Sequence, residues 1–376
     1  MKRRVNLLAL TLMLTAGLAA CSPGGSGNSG TSAGADSSAV SDASAGADAS
    51  ADADASAGAN ASADVNASAG ADAGASAGKD AGQASQNPET VTITSLDGNR
   101  QETDLEVPFD PQRIAVLDMA SLDILDNLGL GDRVVGSAST SLDYLQAYVT
   151  DESVANLGTI KEADLEAVMA SEPDIIFIGG RLSSSYDALS EIAPVVYLAT
   201  DTDLGVAASV AKNASAIASI FGLEEQVDSL MAEFDARIQT LADFAEGKTA
   251  VVGMCTSGGF NVLGNDGRCS LIGVEVGFEN LANSDVTSTH GNESSFELLV
   301  SLDPDYIFVM DRDSAIGTEG AQLAKDIMEN ELVMGTRAYQ DGNLIYLEHP
   351  AVWYTAEGGI TALDVMLADL ETALLK

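Results

Sequence analysis

Histidine is almost missing from this chain, with His290 and His349 its only two. A zinc or manganese cage of the three-histidine-plus-carboxylate kind therefore lacks ligands, and bare-metal capture is disfavoured. Basic residues are also scarce: 17 Lys and Arg stand against 57 Asp and Glu, a net charge of -40. A nucleic-acid partner needs a basic footprint, and a field of this sign repels polyanions except at a local basic pocket. Catalytic signals are thin. Two Gly-x-Ser-x-Gly matches, Gly30 to Gly34 and Gly74 to Gly78, neither follow a strand nor open a helix as a nucleophile elbow does. No other nucleophile-base context stands out, and no carboxylate pair is singled out among the acids, so the composition argues against an enzyme.

What is present divides the chain into three regions. Lys2, Arg3 and Arg4 precede an apolar stretch, Val5 to Leu14, and then Leu18-Ala19-Ala20-Cys21. Charge, short apolar run and small residues in that order predict a signal peptide over 1–20, since a membrane helix needs about 20 apolar residues. The Leu-Ala-Ala-Cys ending resembles the lipobox of bacterial lipoproteins. That resemblance implies acylation of Cys21 and anchoring at the extracytoplasmic face of the cell membrane. Residues 21–90 are built almost wholly from Ala, Ser, Gly, Asp and Asn, with Val40 and Val65 their only branched aliphatic side chains. Such a segment cannot bury a core and is predicted to be a disordered tether.

Residues 91–376 hold only 13 Lys and Arg against 48 Asp and Glu. Apolar β-rich runs, Arg113 to Asp118, Val134 to Ala138, Ile175 to Gly179, Val195 to Leu198, Ala250 to Met254, Tyr306 to Met310 and Leu344 to Leu347, alternate with helical patterns. Alternation of this kind predicts parallel sheets covered by helices. Between Asp203 and Gly247 no strand appears, and Leu223 to Phe244 reads as one long amphipathic helix. The fold expected is α/β: two Rossmann-like lobes, 91–222 and 247–376, joined by a helix over 223–246, with a ligand cleft between them.

An internal repeat supports two related lobes. Asp164 to Arg181 aligns without gaps on Ser295 to Arg312, pairing Glu166 with Glu297, Pro173-Asp174 with Pro304-Asp305, and Arg181 with Arg312. Each copy reads helix, Pro-Asp turn, buried strand, arginine. Ligands of open α/β sheets bind beyond the carboxyl ends of the strands, where both arginines fall.

Gly179-Gly180-Arg181, Asp266-Gly267-Arg268, His290 to Glu297, Pro304 to Arg312 and Trp353 to Gly359 together resemble the class III periplasmic-binding-protein family. Its members include the substrate-binding lipoproteins of ABC importers for iron-siderophores, haem and vitamin B12. The likeness is strongest to the ferric-catecholate branch that includes petrobactin-binding proteins. It implies that Arg181, Arg268 and Arg312 bind catecholate oxygens and that His290 and Tyr354 ligate the ferric ion. It implies further that Glu166 and Glu297 dock on arginines of the permease, that no intrinsic cofactor is held, and that the chain works as a monomer. Cys269 departs from the pattern, standing after Arg268 where an aromatic or aliphatic residue is expected.

The chemistry is consistent with that implication. A ferric catecholate is a multiply charged anion with clustered hard oxygens, and guanidinium groups answer it with permanent charge and a planar fork of donors. Surface salt bridges are the alternative use of the same arginines, and helix-dipole compensation that of the two glutamates. Tyr354 beside Trp353 also fits a core aromatic pair, and His349 before Pro350 fits loop packing. Haem or a corrinoid is the second ligand reading, with Tyr354 or His290 as axial ligand. For Cys255 and Cys269, a disulfide and two reduced buried thiols are both open.

Overall fold

The computed structural model describes residues 88–201, 203–282, 292–293 and 296–376. Cys21 and His290 lie outside the described residues.

The described chain begins with an antiparallel hairpin, β1 (Thr90–Leu96) and β2 (Glu102–Pro108), that sequence reading did not anticipate. Its alternation places Ile93 and Val107 inward while threonines and acids face out. Then come β3 (Ile114–Val116), β4 (Val134–Ser137), β5 (Ala155–Asn156), a short hairpin of β6 (Gly158–Thr159) and β7 (Glu162–Ala163), β8 (Ile175–Ile178) and β9 (Val195–Tyr197). Five of these form one all-parallel sheet in the order β5-β4-β3-β8-β9. The Ile-Ile-Phe-Ile run of β8 is buried on both faces, as expected where helices cover a parallel sheet from both sides.

A helix, Val206–Phe221, buries Val210, Ala214, Ile217 and Phe221 along one stripe and ends at Gly222, whose φ of 68° gives the left-handed cap. The 22-residue helix Glu224–Ala245 follows. It spans about 33 Å at 1.5 Å per residue. Its buried residues Val227, Phe234, Leu241 and Ala245 form one narrow seam, so most of its surface stays polar.

The second sheet is built from β10 (Thr249–Thr256), β11 (Gly259–Val262), β12 (Glu279–Asn280), β13 (Asn292–Glu293), β14 (Tyr306–Asp311) and β15 (Leu344–Tyr346). Its order is β13-β11-β10-β14-β15, with β12 also on β10. Strands β10, β14 and β15 are parallel, whereas β11 folds back antiparallel on β10. That mixed character departs from the purely parallel expectation and has a local cause. Ser257 and Gly258 carry consecutive φ values of 52° and 78°, which a two-residue hairpin turn of the primed kind requires.

Alternation along β10 sends Ala250, Val252 and Met254 into the main core and Val251 and Cys255 into a second core on the opposite face. Cys269 belongs to the main core. The two thiols therefore lie on different faces of the sheet, both buried and both free. Burial, with the acids Asp311 and Asp313 nearby, pushes the Cys255 thiol up to about 12, so neither cysteine is placed as a reactive thiolate.

The repeat seen in sequence extends to backbone geometry. Glu172 and Asp303, one residue before each Pro-Asp, both adopt the left-handed region, with φ of 46° and 42°. In each copy the turn aspartate latches the start of the neighbouring strand. Asp174 accepts from the backbone N–H of Gln112 and of Arg113 at 2.9 Å, and Asp305 from the N–H and hydroxyl of Thr249 at 2.9 Å. An arginine also clamps each left-handed carbonyl at 2.7 Å, Arg113 on Glu172 and Arg337 on Asp303. The last helix, Ile360–Leu374, returns to pack on the helix Met119–Asn127 and on the connecting helix. Buried Asp123 caps it by accepting from the N–H groups of Thr361 (2.8 Å) and Ala362 (2.9 Å).

Candidate functional site

A cleft of about 170 Å³ lies where the carboxyl ends of the two sheets face each other. From the first lobe it is lined by Asp118, Ala120, Ser121, the Gly179-Gly180-Arg181 turn after β8 and Leu198 to Thr200. From the second it is lined by Arg268, Tyr354, Thr355, Glu357 and Gly358. The walls approach closely at Gly358, where an added Cβ would stand 3.2 Å from Ala120 Cβ and from Thr200 Oγ1.

Two of the three anticipated arginines are on its wall. Arg181 follows β8 directly because Gly179 lets the strand end close on Asp118, whose Oδ1 would lie 2.3 Å from a Cβ there. Asp118 is committed to the start of the helix Met119–Asn127, accepting from the N–H and the hydroxyl of Ser121 at 2.9 Å. Burial raises the Asp118 carboxyl above the usual range, while the Ser121 bonds and the Arg181 charge oppose the rise. Arg181 itself is shifted below the ordinary arginine value, first by partial desolvation in the cleft and then by the like charge of Arg268. The two guanidiniums thus share one electrostatic neighbourhood, in which an anion relieves their repulsion.

Arg268 sits over the Tyr354 ring, with its guanidinium carbon 4.3 Å from the ring centre. Its Nε is buried without a hydrogen-bond partner among the described residues. Arg312 is placed differently: it stands behind Tyr354 instead of lining the cleft. Its Nε donates to the Tyr354 hydroxyl at 3.3 Å, and its Nη1 donates to Asp313 at 2.9 Å and to Thr256 at 3.2 Å. Those bonds, the one to Tyr354 foremost, raise the Arg312 pKa further. Tyr354 is consequently gripped between two cations, its ring nearly buried and one edge on the cleft.

Two acids of the cleft, Asp118 and Glu357, were not singled out from sequence. Glu357 accepts from the N–H of Cys269 at 2.9 Å, and the left-handed φ of Cys269, 61°, turns that N–H toward it. Desolvation pushes its carboxyl up to about 7, against the Cys269 bond and the Arg268 charge and reinforced by Glu275. The only signal for Glu357 in sequence is an acid set among the small residues Thr355, Ala356, Gly358 and Gly359.

His349, for which loop packing was expected, is exposed at the start of the helix Pro350–Thr355 and is held by a hydrogen bond instead. Its Nδ1 meets Asp369 at 2.7 Å, and the same carboxylate accepts from the Trp353 indole at 2.9 Å. Glu348, His349 and Asp369 are the one His/acid trio within ligand reach among the described residues, and Asp369 is already spent on these bonds. Glu166 and Glu297 occupy the first turns of the matching helices Leu165–Ala170 and Phe296–Leu302, and both are exposed.

Residues 114–351 match the model of the periplasmic binding protein family. A petrobactin-binding protein of Bacillus subtilis is 34% identical over 273 residues, covering 72% of this chain and 85% of that protein. The ferric-anguibactin-binding protein of Vibrio anguillarum is 26% identical over 266 residues, 69% of this chain and 81% of its own length. Among solved structures, the Bacillus subtilis petrobactin-binding protein superposes with a TM-score of 0.71 at 33% identity, covering 77% of this chain and all of that one. The periplasmic catecholate-siderophore binding protein of Vibrio cholerae gives 0.69 at 29% identity, covering 75% and 100%. The family match spans both large sheets and the connecting helix, and the chain belongs to the periplasmic binding protein family.

Proposed function

We propose that this protein captures a ferric siderophore of the catecholate type, such as petrobactin, and delivers it to the permease of an ABC transporter for iron uptake. The observation that carries the reading is the convergence of Arg181 and Arg268 on one cleft, in a chain whose net charge is -40. Hard, clustered anionic oxygens are the ligand chemistry that paired guanidinium groups select. In this reading Arg181 and Arg268 hold the catecholate oxygens, and Arg312 aims the Tyr354 hydroxyl. Tyr354 and His290 fill the two ferric positions that a tetradentate bis-catecholate leaves open, a hard phenolic oxygen and an imidazole both being suitable donors.

The division into lobes 91–222 and 247–376 with a linking helix over 223–246 belongs to the same proposal. So does the 1–20 signal, with Cys21 acylated and 21–90 spanning from the extracytoplasmic membrane face to a monomeric binding unit. Changing Cys21 to Ala releases the protein from membranes; retention of a processed, membrane-bound variant would refute the anchor. For the site itself, Tyr354→Phe shifts the visible charge-transfer band of a bound tetradentate ferric catecholate. A hexadentate ligand shows no such shift, because it already saturates the metal. Unchanged spectra and affinity in both Tyr354→Phe and His290→Ala with the tetradentate ligand would show that the arginines alone do the binding.

A further inference from the structure

Eleven large apolar side chains are exposed among the described residues. Five of them lie on the helices that carry Glu166 and Glu297 or on a helix packed against one of these. Leu165 and Met169 share the helix of Glu166, Val300 shares that of Glu297, and Leu332 and Met334 belong to the helix Glu331–Met334 packed against it. Scattered exposed hydrophobes need no explanation, but these are not scattered. Met169 and Val300 are equivalent positions of the internal repeat, each three residues after its glutamate and so on the same helix face. Their exposures are 63% and 43%, while the preceding residues, Val168 and Leu299, are fully buried. Each copy has therefore placed one apolar side chain in the core and the next in solvent.

We propose that each lobe offers the permease a composite patch, a glutamate with an apolar side chain one turn below it: Glu166 with Met169, and Glu297 with Val300. The proposal rests on the reading that these glutamates dock on a permease. A solvent-exposed ion pair contributes little by itself, because water and salt screen it. An apolar collar that excludes water is what makes such a pair count at an interface. Neither helix carries a basic residue, so the complementary surface is cationic at its centre and apolar around it. Two patches made equivalent by an internal repeat fit a membrane protein that presents two equivalent or near-equivalent subunits.

The test compares the full chain carrying Met169→Ser with Val300→Ser, the full chain carrying Glu166→Ala with Glu297→Ala, and a control, Val149→Ser, exposed elsewhere on the first lobe. Each replaces the native protein in cells, and uptake of radio-iron-labelled ferric petrobactin is measured beside ligand affinity of the purified protein. The serine pair is expected to lower uptake about ten-fold or more with ligand affinity unchanged. The Val149 control keeps wild-type uptake. Normal uptake with the serine pair, while the alanine pair abolishes it, overturns the apolar collar and leaves glutamate docking standing. Normal uptake with both pairs removes the docking reading and the collar with it. A loss of uptake in the control equal to that of the serine pair also overturns the proposal.

Discussion

Glu357 gives the cleft a titration of its own. Its carboxyl is held up at about 7 by burial, so the native state keeps a proton there that an unfolded chain with an ordinary glutamate has already released. Between the unfolded value of 4.5 and about 7, the native state binds more protons, and stability falls as pH rises through that window. Asp118 and Glu275, also raised by burial, act with the same sign. An anion seated beside Arg268 disfavours ionised Glu357 still further, so binding takes up protons and weakens as pH rises through 7. Glu357→Gln should flatten both dependences, and relative to wild type it should bind ferric catecholate several-fold more tightly at pH 8 than at pH 6. Isothermal titration of the two proteins across that range is the check, because any titration of the ligand is common to both. Parallel pH curves would show that Glu357 does not sense the anion.

At the scale of elements, Asp123 ties the two ends of the described chain together. It sits in the helix Met119–Asn127 yet caps the helix Ile360–Leu374, and it also takes the Tyr144 hydroxyl at 2.8 Å. Removing it leaves the buried N–H of Ala362 and the partly buried N–H of Thr361 and hydroxyl of Tyr144 without this acceptor. Asp123→Ala is therefore expected to cost about 2 kcal/mol or more, with Asp123→Asn milder, read from urea midpoints at constant slope. A midpoint unchanged in the alanine variant would mean that water replaces the cap. Sequence had no route to this bond, since Asp123 and Thr361 are distant in the chain and an aspartate inside a helix reads as a solvent-facing residue. By contrast, the strands β8 and β14 were legible from their apolar runs and Pro-Asp starts, and the repeat located the equivalent arginines. The β1–β2 hairpin escaped because its alternation is diluted by threonine and acid beside a polar segment. The different fates of Arg181 and Arg312, one on the cleft and one behind Tyr354, depend on what each lobe packs after its strand.

For the whole molecule, the governing contrast is between a strongly acidic surface and a cleft that brings two of the few arginines together. Residues 91–376 carry 48 acids and 13 bases, so a bound polyanion is held against the general field by local contacts. One fold carries many unrelated functions, so the two-lobed architecture by itself does not choose the ligand. In the proposed reading the choice rests on Arg181 and Arg268, which both line the cleft. Trp353, the chain's one tryptophan, is fully buried and adjacent in sequence to Tyr354 of the cleft. The direct test is a tryptophan-quenching titration with a ferric bis-catecholate, haem and cobalamin, on wild type and on the Arg181→Ala/Arg268→Ala double variant. The ferric catecholate should quench and be displaced by neither of the others. The double variant should bind it at least about 100-fold more weakly, two charge-assisted contacts being lost. Preferred binding of haem or cobalamin, or an undiminished affinity in the double variant, would contradict the account.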